Sequence, residues 1–144
     1  MSTLPSLFIG YADGDIHSTC HLASAAWAIY TSSGQLFASS GIFLGHETNN
    51  MFEYTAVVDL LTKSISLEIQ HLIVRLDSQL VVRQLISDYF VRSPTLLRLF
   101  MRVWILERWF DYIEYQHIPR TLNTYKNTLA NYVLDRHSRN LNQT

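Results

Sequence analysis

Three strand-like runs precede the first helix-like run of this chain, and from there strands and helices are interleaved. The first run is Leu7 to Ala12, ended by Asp13-Gly14-Asp15. Ala25 to Tyr30 and Gln35 to Phe43 read as the arms of a hairpin, joined by the polar, glycine-ended turn Thr31-Ser32-Ser33-Gly34. Thr48, Asn49 and Asn50 offer capping side chains before a helix from Met51 to Ser64, where Phe52, Ala56, Leu60 and Lys63 follow helical spacing. His71 to Leu76 predicts a fourth strand, and Asp77 or Ser78 caps a helix running through Tyr89. Pro94 suits the first turn of a third helix, to about Phe110. Tyr112 to Ile118 alternates as a last strand, Pro119 stops it, and Asn123 opens a final helix to about His137. An antiparallel beginning followed by strand–helix units implies an α/β fold, a sheet flanked by helices.

With 144 residues, 48% hydrophobic and 16% charged, the chain is expected to form one domain over 1–144. Its core would span about 7–137, with a frayed tail from Ser138. A single cysteine, Cys20, excludes an intramolecular disulfide and suits a reducing compartment. Met1 to Gly10 lacks the pattern of a secretory signal, and no apolar run approaches the ~20 residues of a membrane span. The expectation is an intracellular protein, cytoplasmic or nuclear, without a membrane partner. The net charge of −1 does not by itself favour a nucleic-acid binder. Acids that hold a divalent metal, however, lower the formal charge without lowering the field felt by a phosphate.

Asp13 and Asp77 each interrupt the end of an apolar run, and Glu53 lies in the predicted first helix, in what reads as its first turn. Carboxylates at the ends of buried strands cost desolvation energy unless something positive pairs with them. Taken singly, each is explained as a helix cap or an arginine partner. Taken as a set they suggest one site, because strand ends and helix N-termini converge at one edge of an α/β sheet. Three converging carboxylates repel unless cations sit among them. Their hard oxygens favour Mg²⁺ or Mn²⁺, and two such ions about 4 Å apart suit displacement at phosphorus.

Four ordered motifs make this specific. They are Tyr11-Ala12-Asp13-Gly14; Thr48-Asn49-Asn50-Met51-Phe52-Glu53-Tyr54-Thr55-Ala56; Asp77-Ser78-Gln79-Leu80-Val81-Val82; and His117-Ile118-Pro119-Arg120 with Asn123 and Leu129-Ala130-Asn131. From about Phe8 to Arg136 the chain resembles type 1 ribonuclease H, in the short variety found as reverse-transcriptase-like domains of plants, retroelements and prokaryotes. The resemblance implies a ribonuclease H-like fold, a five-stranded mixed sheet of order 3-2-1-4-5 flanked by helices. It also implies endonucleolytic cleavage of RNA paired with DNA, with two Mg²⁺ or Mn²⁺ ions per site. Asp13 would bridge both ions, with Glu53 and Asp77 on the leaving-group side and Glu53 near a ribose 2′-hydroxyl. Asn49, Asn50 and Gln79 match positions that contact the minor groove of the hybrid, although Asn49 or Asn50 would equally serve as a helix cap. Gly14, Ser78 and Arg120 complete the expected nucleic-acid contacts.

The chain departs from that pattern at Asn127, where the family's last helix carries an aspartate that helps to hold the ion activating the attacking water. Asparagine keeps a carbonyl oxygen but loses a full charge, so metal affinity and the acidity of the bound water should fall. Lys126 adds a positive charge beside it, and Asp135 is ~12 Å away along a helix. Asp15 is the nearer acid, more simply read as a surface residue. The family's histidine-bearing loop is replaced by Ile118-Pro119-Arg120-Thr121-Leu122, and His117 reads as structural. The basic insertion of longer members is also missing. Arg92, Arg98, Arg102 and Arg108 stand in its place, with Arg98 and Arg102 on one helical face. Trp104, Trp109 and Phe110 read as core or as a dimer contact, and an apolar surface there would suit a homodimer. The residues leave two functions open: a metal-dependent nuclease acting on RNA–DNA hybrids, weakened by Asn127, or a module of the same fold that grips a hybrid or a protein without cutting. A junction resolvase fits the fold but not the Thr-Asn-Asn…Glu motif.

Overall fold

The computed structural model describes residues 6–17, 22–45, 49–87 and 89–119, with the backbone alone at 13–17, 22–25, 42–45 and 49. In chain order the elements are β1 (Leu7–His17), β2 (Leu22–Thr31), β3 (Leu36–Gly45), α1 (Asn49–Ser66), β4 (His71–Leu76), α2 (Gln79–Leu85), α3 (Pro94–Glu107) and β5 (Tyr112–His117). The five strands form one sheet of order β3-β2-β1-β4-β5. The meander β1–β2–β3 is antiparallel, whereas β4 runs parallel to both β1 and β5. The mixed sheet and its order agree with the expectation.

The hairpin turn forms where the polar run Thr31 to Gly34 predicts it. Gly34 takes φ +92°, a conformation that L side chains rarely adopt. Its N–H donates to Thr31 O at 2.9 Å, and Thr31 N–H donates to Gln35 O at 2.8 Å.

α1 lies across β1 and β2 and supplies more of the core than any other element: Phe52, Tyr54, Ala56, Val57, Leu60 and Leu61 are wholly buried. Burying each larger aliphatic or aromatic side chain contributes about 1.5–3 kcal/mol. The predicted stripe holds at Phe52, Ala56 and Leu60. Lys63 is exposed, because the buried face turns instead through Leu61 to Ser64. β4 alternates as a strand covered unequally on its two faces: Leu72, Val74 and Leu76 are buried while His71, Ile73 and Arg75 are half-buried. The indole of Trp27 on β2 donates to Asp59 Oδ2, pinning α1 to the sheet.

Several boundaries differ from the sequence reading. β1 does not end at Asp13. It runs on to His17 because its antiparallel pairing with β2 continues past the point where β4 stops. α1 starts at Asn49, so Asn49 and Asn50 are helical residues rather than caps. α2 ends at Leu85, four residues before Tyr89, because Ile86 leaves the helical region and Ser87 takes φ 69°. α3 ends at Glu107, and a tight turn through Arg108, Trp109 and Phe110 leads to β5. The predicted last helix, Asn123 to His137, and the tail from Ser138 lie outside the described residues.

Candidate active site

The parallel register of β1 and β4 brings two of the acids level. Tyr11 pairs with Arg75, the last couple of that ladder. Asp13 lies two residues further along β1, opposite Ala26 of β2, and Asp77 lies two residues beyond Arg75, just past the end of β4. The two positions are therefore in step at the same end of the sheet, as parallel strands with one residue per rung require. Asp77 is half-buried, and its Oδ2 is a buried oxygen.

Glu53 is the third acid. It is the fifth residue of α1, so it stands in the second turn and not the first, a consequence of the earlier helix start. Although charged, it is only 8% exposed, and its Oε2 is buried. Both Glu53 and Asp77 interact with neighbouring groups. Among the described side chains no group of three or more His, Cys, Asp and Glu residues is poised around one point. Asp13 enters through its backbone position alone.

An arginine partner for Asp77 along the strand is not what Arg75 provides. Its Nη1 donates to the Tyr11 hydroxyl at 2.9 Å, its Nε donates to Gln116 Oε1 at 3.1 Å, and its guanidinium stacks over the Tyr11 ring. Ser78, not Asp77, caps α2: its Oγ accepts from Val81 N–H at 3.2 Å. Gln79 is exposed as the first residue of α2, and Asn50 is half-buried in the first turn of α1. Gly14 pairs with Ala25 and Asp15 with Ser24, both inside β1 rather than in a loop. His117 closes β5 beside Leu76 and is exposed. Arg120, Lys126 and Asn127 lie outside the described residues.

The arginines Arg92, Arg98, Arg102 and Arg108 are all exposed, the last stacked on Trp104 with 5.0 Å from guanidinium to ring centre. Phe110 belongs to the core, but Trp104 and Trp109 face solvent.

The sequence reading missed a polar cluster drawn from four elements, buried at its Tyr54–Gln84 end and half-buried at its Tyr115–Glu107 end. The Tyr54 hydroxyl on α1 donates to Gln84 Oε1 on α2 at 2.7 Å, and the Tyr115 hydroxyl on β5 donates to Glu107 Oε1 on α3 at 2.8 Å. Burial pushes the Tyr54 hydroxyl above its ordinary pKa. Burial, followed by the Glu107 charge and hydrogen bond, does the same for Tyr115. Burial also raises the Glu107 carboxyl, opposed by the Tyr115 hydrogen bond. The available signal was Gln84, a polar residue on the otherwise apolar face of Val81, Val82 and Leu85.

Comparison with known proteins agrees with this architecture. Residues 11–133 match the family described as reverse transcriptase-like. Ribonuclease HI of Halobacterium salinarum is 32% identical over 125 residues, which cover 87% of this chain and 63% of that protein. The crystal structure of RNase H1 from the same archaeon superposes with a TM-score of 0.85 at 31% identity, covering 90% of this chain and 98% of the other. The structure of LC11-RNase H1 in complex with an RNA/DNA hybrid gives 0.83 at 27% identity, over 90% and 98% of the two chains. The chain spans from 34% to 63% of the length of the curated relatives it matches. It belongs to the reverse transcriptase-like family and has the ribonuclease H fold.

Proposed function

We propose that this chain is a metal-dependent ribonuclease H that cleaves the RNA strand of RNA–DNA hybrids, at a rate lowered by Asn127. The observation that carries this reading is the level placement of Asp13 on β1 and Asp77 just past the end of the parallel β4, with the buried Glu53 on the helix that lies across β1 and β2. A charged side chain as buried as Glu53 needs partners that offset its desolvation, and a divalent cation would be one of them. A set of carboxylate oxygens suits Mg²⁺ or Mn²⁺ better than softer metals. Asp13, Glu53 and Asp77 would hold the metal, with the Asn127 amide oxygen as a weak fourth donor. Once bound, divalent cations supply an acidified water and neutralise charge at the scissile phosphate.

The protein's own groups do the rest. Asp13 and Asp77 share one end of the sheet, so a phosphodiester seated there meets both. Glu53 approaches the ribose 2′-hydroxyl and thereby selects the RNA strand. Asn49, Asn50 and Gln79, each at a helix start, contact the minor groove, and Gly14, Ser78 and Arg120 complete the contacts with the nucleic acid. Similarity to a ribonuclease H structure that contains an RNA/DNA hybrid supports this choice of substrate.

A second reading is favoured by Asn127, the absent histidine-bearing loop and the modest net charge: the chain grips a hybrid or a protein partner but does not cut. The test is cleavage of a labelled RNA–DNA hybrid in Mg²⁺ and in Mn²⁺ by the wild type, Asn127→Asp and Asp13→Asn. The expected result is activity in Mn²⁺, a gain for Asn127→Asp and a loss for Asp13→Asn. Hybrid binding without cleavage under either metal would make the binding module the correct reading.

A further inference from the structure

Asp77 immediately precedes Ser78, the N-cap of α2. Ser78 caps α2, so the carboxylate sits at the mouth of a helix of only seven residues. A helix that short has little stability of its own and depends on the surfaces it packs against. α2 meets α1 over a small area. At that contact lies one buried polar tie, the 2.7 Å hydrogen bond from the Tyr54 hydroxyl to Gln84 Oε1. Tyr54 is wholly buried, Gln84 is nearly so, and 30 residues separate them.

The location of the tie matters more than its strength. Tyr54 is the residue next to Glu53 on α1, and Gln84 is in the last turn of the helix that Asp77 and Ser78 introduce. The bond therefore joins the helix that carries one acid to the helix that follows the other. A hydrogen bond accepts little variation in length or angle, whereas the apolar contacts of Val81, Val82 and Leu85 tolerate sliding. We infer that the Tyr54–Gln84 hydrogen bond is a positioning device that fixes the separation of the Glu53 and Asp77 carboxylates, and through it the affinity of the site for a divalent cation. This inference rests on the metal-dependent reading above. It assigns Tyr54 and Gln84 a role as positioning residues, because neither is placed to touch metal or substrate.

The experiment separates positioning from stability. Tyr54→Phe and Gln84→Met each leave a buried polar group without its partner and should lower the melting temperature. The double variant Tyr54→Phe/Gln84→Met replaces both partners with apolar groups of similar shape, which can be nearly neutral for stability. Mn²⁺ binding is measured by calorimetry on all three and on the wild type, together with hybrid cleavage. The double variant should recover the wild-type melting temperature yet bind Mn²⁺ about tenfold more weakly, a loss typical when a residue that orients metal ligands is changed. A second measurement needs no variant to fold: in the wild type, Mn²⁺ should slow hydrogen exchange at the Val81 and Val82 amides.

A double variant with wild-type Mn²⁺ affinity, or wild-type α2 amides indifferent to bound Mn²⁺, would overturn the positioning role and leave the nuclease reading standing. Wild type that binds Mn²⁺ no better than Asp77→Asn would overturn both.

Discussion

Gly10 of β1 lies directly beneath Leu60 of α1, so closely that a Cβ built on the glycine would stand 2.9 Å from Leu60 Cδ2. The helix rests on the strand at a point where there is no room for a methyl group. Gly10→Ala should push the wholly buried Leu60 into a poorer rotamer and destabilise the fold by about 1–3 kcal/mol. Urea unfolding measures this. A Leu60→Ala change in the same chain should relieve the clash, so that the two effects are less than additive. Additive losses would show that the contact is not what limits the site.

The cap on α2 gives a second prediction. Ser78→Ala removes the oxygen that accepts from Val81 N–H and should cost about 1 kcal/mol. Ser78→Thr, which keeps the hydroxyl, should restore most of it. If serine acts here only through a nucleic-acid contact, Ser78→Ala will weaken hybrid binding while leaving the denaturation midpoint where it was.

The Glu107–Tyr115 pair predicts how stability responds to pH. Burial raises the Glu107 carboxyl above its ordinary 4.5, so the folded state binds this proton more tightly than the unfolded chain. Its contribution to stability is therefore complete below about pH 4.5 and is lost as pH rises through the elevated folded value. Tyr115, also raised, adds a second loss at alkaline pH, above its ordinary 10. Glu107→Gln mimics the protonated acid and still accepts from Tyr115. Denaturation from pH 4 to 7 should show this variant gaining on the wild type as pH rises. A constant difference across that range would mean that Glu107 titrates normally.

The outer face of α3 gives a fourth. Leu97, Met101, Trp104 and Ile105 recur at helical spacing and are each 42–52% exposed. Because they touch little, Met101→Lys/Ile105→Lys should change stability by less than about 0.5 kcal/mol per site. If a homodimer forms through this face, sedimentation of the wild type will depend on concentration and that of the double variant will not. Identical behaviour of the two would place any self-association elsewhere.

Much of the fold was legible in the sequence because its signals are local. The glycine-ended turn at Gly34, the alternation from His71 to Leu76 and the proline at the start of α3 each act within a few residues. What failed was whatever depends on a neighbour in space. The continuation of β1 through Asp13 is dictated by pairing with β2, and nothing in Asp13-Gly14-Asp15 announces it. The early end of α2 depends on Ser87 adopting positive φ. In the candidate site, Asp77 and Glu53 were recognisable as acids in apolar surroundings, whereas the hydrogen bond between Tyr54 and Gln84 required the crossing of α1 and α2. Ser78 as cap was one of two options that only the geometry of the strand exit decided.

The parallel alignment of β1 and β4 also bears on how chains of this kind can change over time. Because one rung separates successive residues on both strands, removing a single residue between Leu72 and Leu76 would set Asp77 a rung behind Asp13 and turn it to the opposite face. A gain or loss of length in a connection would leave that register untouched, so the strands behave as a ruler whose graduations must be kept intact.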